Sequence, residues 1–135
     1  MKKILSFVVN KDNKLLLLKG SDNDPQFHKS FWYVVTGGVE DIDNNIIDTV
    51  KREVLEETNL KVKEVLELDW ILNYESLGKN CCEYVFISYV DEDNIKLNEE
   101  SIDYCWCSLD EFINKVHWFY EKKELRNVLS KYIKE

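Results

Sequence analysis

The sequence predicts an α/β (α+β) fold in which a mixed β-sheet lies between helices. Short segments rich in β-branched and aromatic residues occur both before and after one helical segment in the first half of the chain. Two further helical segments follow near the end of the sequence. Because strands surround the early helix and helices come last, we expect helices on both faces of a single sheet, as in an α/β/α sandwich.

The chain has 135 residues, which is the length of one domain. No repeat, linker or shift in composition divides it. Hydrophobic residues make up 44% of the chain, so intrinsic disorder is not expected. We therefore expect residues 1–135 to form one domain.

The first part of the chain predicts three strands. Residues 4–9 and 14–19 are strand-like, and the turn-forming segment 10–13 joins them. Residues 21–29 are polar, contain the only proline and are expected to form a loop. Residues 31–36 are dense in aromatic and β-branched side chains, which predicts the third strand.

Residues 44–57 predict the first helix. Apolar residues recur there at the four-residue interval of a helix face, at Ile46, Val50 and Val54. Either Asp43 or Asn44 has a side chain suited to cap its start. Asn59 suits the left-handed position just past its end.

Three more strands are predicted after this helix. Residues 62–73 alternate in polarity and place four apolar side chains on one face, Leu66, Leu68, Trp70 and Leu72. A turn at 77–80 leads into a strand at 82–90, and a short strand follows at 104–107.

Two helices are predicted at the end of the chain. Ser108 is a suitable cap for a helix at 109–116, and a last helix is expected over about 119–133.

Charge and hydropathy exclude several classes of partner. The chain carries 26 acidic and 18 basic side chains, for a net charge of −8, and no basic stripe is visible, so duplex nucleic acid is not an expected partner. Its apolar runs, such as 15–18 and 31–35, are far shorter than the ~20 residues of a bilayer span. The start of the chain, with basic residues followed by an apolar stretch, briefly resembles a secretory signal peptide. Asn10 interrupts the apolar stretch, and the chain has no Ala for a small-residue cleavage site, so a signal peptide is not expected. We expect a cytoplasmic protein.

Three glutamates of the first helix are candidates for metal binding. At 100° per residue, Glu53, Glu56 and Glu57 fall within an arc of about 100° beside the apolar stripe. Carboxylates three or four positions apart repel each other by a few tenths of a kcal/mol. A divalent cation such as Mg²⁺, which takes oxygen ligands, would relieve this repulsion. The alternative is a solvated acidic helix face, which is common in a chain with 33% charged residues.

Two neighbouring features favour the metal interpretation. Arg52 lies four residues before Glu56, so its guanidinium group can brace the carboxylates. Gly37 and Gly38 allow a tight backbone turn that can bring a carbonyl group to the same ion.

The segment 37–60 resembles the catalytic box of the Nudix (MutT-type) hydrolase family, G-x5-E-x7-R-E-U-x-E-E-x-G-U, where U is a bulky apolar residue. The second half reads Arg52-Glu53-Val54-Leu55-Glu56-Glu57-Thr58-Asn59-Leu60 and departs from the box only in having Asn59 for Gly. The first half departs more. Counting from Gly38 places Asn44 where the box has Glu, whereas counting from Gly37 places Asp43 there with one residue inserted before the helix.

The resemblance implies a Nudix-type sandwich and a reaction. The family cleaves a nucleoside diphosphate linked to another group, with metal-activated water attacking phosphorus. The metal ligands it implies are Glu53, Glu56, Glu57 and the carbonyl group of Gly37, and the implied ion is Mg²⁺, with Mn²⁺ as a substitute. The catalytic residues it implies are Glu56, Glu53 and Arg52, with Glu56 or Glu53 as the base.

A further ligand or base is implied by a second resemblance. Residues 99–106 resemble the acidic loop before a Trp-bearing strand in many family members, which makes Glu100 the candidate. An ordinary charged loop is the alternative at this position.

Candidate substrate contacts are aromatic. The segment Phe31-Trp32-Tyr33-Val34-Val35-Thr36-Gly37 resembles the corresponding strand of the bacterial dihydroneopterin triphosphate and dATP pyrophosphatase branch. A planar pterin or purine could stack on Trp32, Tyr33 or Trp70, unless these rings belong to the core. Lys19 is placed to meet a phosphate at the end of the second strand.

A different function also fits the sequence. The fold could serve as a nucleotide-binding or regulatory module with weak or no hydrolysis, and Asn44 and Asn59 are the departures that favour this view. The intact Arg52 and the three helical glutamates argue against it. The expected partner in either case is a small phosphorylated molecule, and the protein is expected to be a monomer or a homodimer.

Overall fold

The computed structural model describes residues 1–21 and 30–133, and these residues form seven strands and three helices. The strands are β1 (Lys2–Val9), β2 (Leu15–Gly20), β3 (Trp32–Tyr33), β4 (Val35–Gly38), β5 (Val62–Ser76), β6 (Lys79–Val90) and β7 (Ser101–Cys107). The helices are α1 (Ile46–Thr58), α2 (Leu109–Lys115) and α3 (Lys122–Leu129).

The strands form one mixed sheet. Its main path runs β3-β2-β1-β6-β5, while β4 also pairs with β1 and β7 also pairs with β2. β1 and β6 are parallel, and the other pairs are antiparallel. The mixed sheet predicted from the sequence is confirmed.

The sheet separates two hydrophobic cores because side chains alternate between its faces. One face packs against α2 and α3 through residues that include Leu5, Phe7, Leu17, Phe112 and Leu125. The other packs against α1 through residues that include Ile4, Val8, Leu16, Val50 and Val54. Helices therefore cover both faces, as the predicted sandwich requires.

The third strand is interrupted, which the sequence did not predict. Instead of one strand at 31–36, β3 pairs with β2 and β4 pairs with β1, and buried Val34 lies between them. The chain changes partner strands at this point, so its hydrogen bonding cannot continue in one ladder. β4 extends through Gly37 and Gly38, which brings the glycine pair into the sheet.

Helix α1 begins two residues later than predicted. Its cap is Asn45, whose side chain accepts a hydrogen bond from the backbone N–H of Asp48 at 2.9 Å. The prediction that Asp43 or Asn44 caps the helix is wrong. The carboxylate of Asp43 is occupied elsewhere, as described below.

The predicted end of α1 is confirmed. Asn59 has φ 62°, and its backbone N–H donates to the carbonyl of Leu55 at 2.9 Å. Asparagine tolerates this left-handed conformation better than most residues with a Cβ. It therefore serves where the family box has glycine.

The second half of the sheet is a long hairpin. The face predicted for Leu66, Leu68, Trp70 and Leu72 is confirmed, since all four contact the core beneath α2 and α3. β5 continues past its predicted end to a two-residue turn at Leu77 and Gly78, both with positive φ, as tight hairpins require.

The end of the chain has less helix than predicted. Ser108 caps α2 in a capping box with Glu111, as its sequence indicates. The last helix covers only Lys122–Leu129, and residues 117–121 precede it as an irregular aromatic segment. In this segment Phe119 packs on Tyr33 with ring centroids 5.4 Å apart. Residues 117–121 thus pack through aromatic ring contacts and do not form helical turns.

Most of the loop predicted at 21–29 lies outside the described residues. Among the helices of the described chain, none is both long and apolar enough to cross a bilayer.

Candidate active site

Arg52 organises the loop between β4 and α1. Its Nε and Nη2 atoms each donate to a carboxylate oxygen of Asp43 at 2.9 Å, and Nη2 also donates to the carbonyl of Gly38 at 3.0 Å. The Arg52 guanidinium holds the pKa of the Asp43 carboxyl well below its usual range, and the same hydrogen bonds raise the pKa of Arg52. Asp43, not Asn44, therefore occupies the loop-bracing position that the sequence left open between them.

Two residues that the sequence analysis missed complete this brace. Thr49 is fully buried, and its hydroxyl donates to Asp43 at 2.8 Å. Glu40 forms an ion pair with Arg52 at 2.8 Å. Thr49 could have been singled out from the sequence, because it is a polar residue on the buried side of the first turn of α1. No periodic pattern in the sequence marks Glu40.

Glu53 lies between Arg52 and β4. Its Oε1 accepts from Nη1 of Arg52 at 2.8 Å. A Cβ atom added at Gly37 would overlap the Glu53 side chain, whereas one added at Gly38 would meet nothing within 4 Å. The absence of a side chain at Gly37 is therefore what lets the Glu53 carboxyl group lie against the strand.

Glu57 is the buried member of the three glutamates. It is 8% exposed, and its Oε2 atom has no hydrogen-bond partner among the described residues. Burial raises its pKa well above the usual value, and the charges of Glu53 and Glu100 raise it further. A hydrogen bond joins the Glu53 and Glu57 carboxyl groups, and burial also raises the pKa of Glu53. The two form a desolvated pair with an unpaired oxygen.

Glu56 is the exposed member of the three glutamates, and its charge acts on both Glu53 and Glu57. Its side chain is 53% exposed, and both carboxylate oxygens lie 3.3 Å from Nη1 of Arg52. Within residues 1–21 and 30–133, no three Asp, Glu, His or Cys side chains converge as a set of metal ligands. The structure thus brings Glu53 and Glu57 together and leaves Glu56 on the rim.

Glu100 lies within electrostatic range of Glu57 although it is distant in sequence. The chain after β6 crosses the end of α1, where the N–H of Lys96 donates to the carbonyl of Thr58 at 3.0 Å. Glu100 follows in the turn before β7, and its charge acts on Glu57. The acidic loop and the helix therefore meet at one place.

Lys19 and Trp32 lie opposite each other on β2 and β3. The Nζ atoms of Lys19 and Lys115 lie 6.0 Å and 4.3 Å from the centre of the Trp32 ring. None of the contacts described for this group involves a carboxylate of α1.

Tyr33 and Trp70 both pack on Trp118, at centroid distances of 6.1 Å and 5.8 Å. They border the core beneath α2 and α3, and burial raises the pKa of Tyr33. The charge of Glu83, a buried carboxyl group on β6 that the sequence analysis did not single out, raises it further. Glu83 could have been singled out from the sequence because it is an acidic residue inside the predicted strand 82–90.

Comparisons with known proteins agree with this geometry. A family model of the NUDIX domain matches residues 2–128. An RNA pyrophosphohydrolase of Pelagibacter ubique is 40% identical over 74 residues, which cover 54% of this chain and 43% of that protein. The chain thus spans less than half the length of that relative.

Two further proteins are similar over most of the chain. A dihydroneopterin triphosphate diphosphatase of Haemophilus influenzae is 26% identical over 119 residues, which cover 78% of this chain and 72% of that protein. The crystal structure of a MutT protein from Methanosarcina mazei Go1 superposes with a TM-score of 0.76 at 25% identity, covering 97% of this chain and 91% of that one. The fold, the Arg52 brace and the match over residues 2–128 lead to one conclusion: the chain belongs to the Nudix hydrolase family.

Proposed function

We propose that this Nudix domain is a Mg²⁺-dependent pyrophosphohydrolase in which water attacks phosphorus and cleaves a phosphoric anhydride bond. The substrate class is a nucleoside diphosphate linked to another group, or a nucleoside or pterin triphosphate. The observation that carries the proposal is the buried Glu57 carboxyl group, which has an unpaired oxygen next to Glu53.

The residues present fit a hard divalent cation. A buried carboxyl pair is costly without a compensating charge, and oxygen atoms are the ligands that Mg²⁺ prefers. Glu53 and Glu57 supply such oxygens, and the missing side chain at Gly37 lets the Glu53 carboxyl group lie against the strand. We assign Glu53, Glu57, Glu56 and the carbonyl of Gly37 as the ligand set, with Glu100 as a further ligand or base.

When bound, Mg²⁺, or Mn²⁺ in its place, would neutralise phosphate oxygens and lower the pKa of a coordinated water. The protein residues then have separate tasks. Glu56 or Glu53 accepts the proton of the attacking water. Glu56 is exposed enough to reach solvent, whereas Glu53 is a member of the buried pair.

Arg52 acts through its neighbours. Its guanidinium group spans Asp43, Gly38 and Glu53 at hydrogen-bond distances, so it fixes the loop relative to the helix. A bidentate arginine is suited to this because its donors are coplanar and always charged. We propose that it is a positioning residue.

The Haemophilus influenzae relative, a dihydroneopterin triphosphate diphosphatase, supports a small phosphorylated substrate of nucleotide or pterin type. Lys19 would contact a phosphate, and Trp32, Tyr33 or Trp70 would stack on the heterocycle. We propose a single domain that works in the cytoplasm as a monomer or homodimer, without binding duplex nucleic acid or a membrane.

A nucleotide-binding or regulatory module with weak or no hydrolysis is the second candidate. The observation that favours it is that Arg52 holds Glu53 and Glu56 at its guanidinium group, while no three acidic side chains of the described chain converge as a set of metal ligands. A binding module has no need of a buried carboxyl pair, so we place hydrolysis first.

Release of phosphate and pyrophosphate tests the choice. Nucleoside triphosphates, dinucleotides, nucleotide sugars and dihydroneopterin triphosphate would be assayed with Mg²⁺ and with EDTA. We expect metal-dependent release from the wild-type protein. Glu56→Gln should reduce this release at least tenfold, and the exposed control Glu67→Gln should leave it unchanged. No release from any of these compounds by folded protein would favour the binding module.

A further inference from the structure

A buried carboxyl group lies outside the α1 glutamates and has no task in the proposed reaction. Glu83 on β6 is 3% exposed. It follows the strand alternation of Val85 and Ile87, so it lies on the face that packs against α2 and α3. Burying a carboxyl group there costs folding free energy unless a hydrogen-bonding or charged partner compensates it.

The groups around Glu83 come from four parts of the chain. The hydroxyl of Tyr74 on β5 donates to its Oε2 at 3.1 Å. Lys3 is its cross-strand neighbour on β1, and its positive charge favours the ionised carboxyl group. Tyr33 on β3 and Tyr120 before α3 lie within electrostatic range. Among residues 1–21 and 30–133, this one hydrogen bond to the Glu83 side chain is far below the roughly four that a carboxylate can accept.

Glu83 is also well placed relative to the proposed reaction centre. Gly38, Lys3 and Glu83 are in register across β4, β1 and β6. Adjacent strands lie ~4.8 Å apart, so Glu83 is about 10 Å across the sheet from Gly38. One extended nucleotide is long enough to reach from Gly38 to Glu83.

Aromatic groups border the same end of this core. The indole N–H of Trp118 is buried without a hydrogen-bond partner among the described residues. The Trp118 ring lies 5.8 Å from Trp70 and 5.7 Å from Tyr120. The surroundings combine flat apolar rings with a spare donor and a carboxyl group, which are the groups that bind a planar heterocycle.

We propose that Glu83, held by Tyr74, recognises the heterocycle of the substrate and selects one with two adjacent N–H donors, the arrangement shared by guanine and pterin. A carboxylate accepts two parallel N–H bonds, as it does from arginine. Adenine presents a donor beside an acceptor, which leaves one carboxylate oxygen facing a lone pair. The inference rests on the proposed function, because it names the substrate class for that site.

Binding without turnover tests the inference. GMP and AMP would be titrated into the full chain in EDTA, with tryptophan fluorescence as the readout, so that no hydrolysis is needed. We expect GMP to bind at least about tenfold more tightly than AMP, which is the discrimination that one bidentate pair supplies. Glu83→Gln should remove this preference, because its amide offers one acceptor and one donor. The exposed control Glu75→Gln should keep it.

Equal affinity for GMP and AMP in the wild-type protein, or an unchanged preference in Glu83→Gln, would overturn the inference. If Glu83→Gln does not fold, Tyr74→Phe replaces it, and its GMP preference should fall because the carboxyl group loses its fixed orientation. A protein that shows the preference but hydrolyses nothing with Mg²⁺ would refute the proposed function alone.

Discussion

Arg52 and Asp43 form a bidentate ion pair in which two guanidinium nitrogens each lie 2.9 Å from a different carboxylate oxygen. The pair joins the middle of α1 to the loop that follows β4. Because Arg52 also reaches Gly38 and Glu53, the glycine strand and the acidic helix are held in one arrangement. The candidate metal ligands therefore depend on a residue that is not itself a ligand.

The first prediction concerns this pair. Asp43→Asn should lower kcat/KM by about 10-fold to 100-fold, as loss of a supporting contact does in metal sites. Asn44→Ala is the matched control, since Asn44 is the other candidate for the loop position, and it should change kcat/KM less than about threefold. A larger loss in Asn44→Ala than in Asp43→Asn would contradict the assignment.

The second prediction uses the adjacent glycines. Gly37→Ala should reduce hydrolysis about 100-fold, because the new Cβ displaces the Glu53 carboxyl group by more than the site tolerates. Gly38→Ala has open space around its Cβ and should stay within about threefold of wild type. Circular dichroism and steady-state kinetics on both variants provide the measurement. Equal activities would show that Glu53 is not fixed by this contact.

The third prediction concerns stability without metal. Glu57→Gln removes a buried ionisable group that has an unpaired oxygen. In EDTA at neutral pH, its Tm should rise by about 2 to 4 °C, corresponding to roughly 1 kcal/mol or less, while activity is lost. Differential scanning calorimetry checks the first part. A lower Tm than wild type would mean that the Glu53–Glu57 pair stabilises the fold on its own.

The fourth prediction is a pH dependence of stability. Burial raises the pKa of Glu83 from 4.5 to about 7. The folded state therefore binds more protons than the unfolded state between these values, and the free energy of unfolding falls as pH rises through this window. The contribution of Glu83 is at most about 3 to 4 kcal/mol. Relative to wild type, Glu83→Gln should be more stable at pH 8 than at pH 5, as urea unfolding would measure. An equal difference at both pH values would contradict the raised pKa.

Much of the fold could be predicted because local patterns matched the final environment. The four-residue apolar interval of α1 and the alternation from Leu66 to Leu72 each identify one buried face, and both faces are buried as expected. Asn59 could be placed because few residues with a Cβ tolerate a left-handed conformation.

The remaining features depend on tertiary contacts that local patterns do not encode. Asp43 and Asn44 are both good caps by residue type, yet the helix is capped by Asn45, while Arg52, nine residues after Asp43, binds the Asp43 carboxylate. The break at Val34 reflects the choice of partner strand. Glu83 looked like an ordinary strand residue because its burial depends on β1 and β5.

The most direct test of the central claim is the thermal shift that Mg²⁺ or Mn²⁺ produces in wild type and in Glu57→Gln. If the buried pair holds the ion, saturating metal should raise the wild-type Tm by about 5 to 10 °C, because the ion binds only the folded state. Glu57→Gln should show less than about a third of that shift. Equal shifts in the two proteins would contradict a divalent cation site built on Glu57.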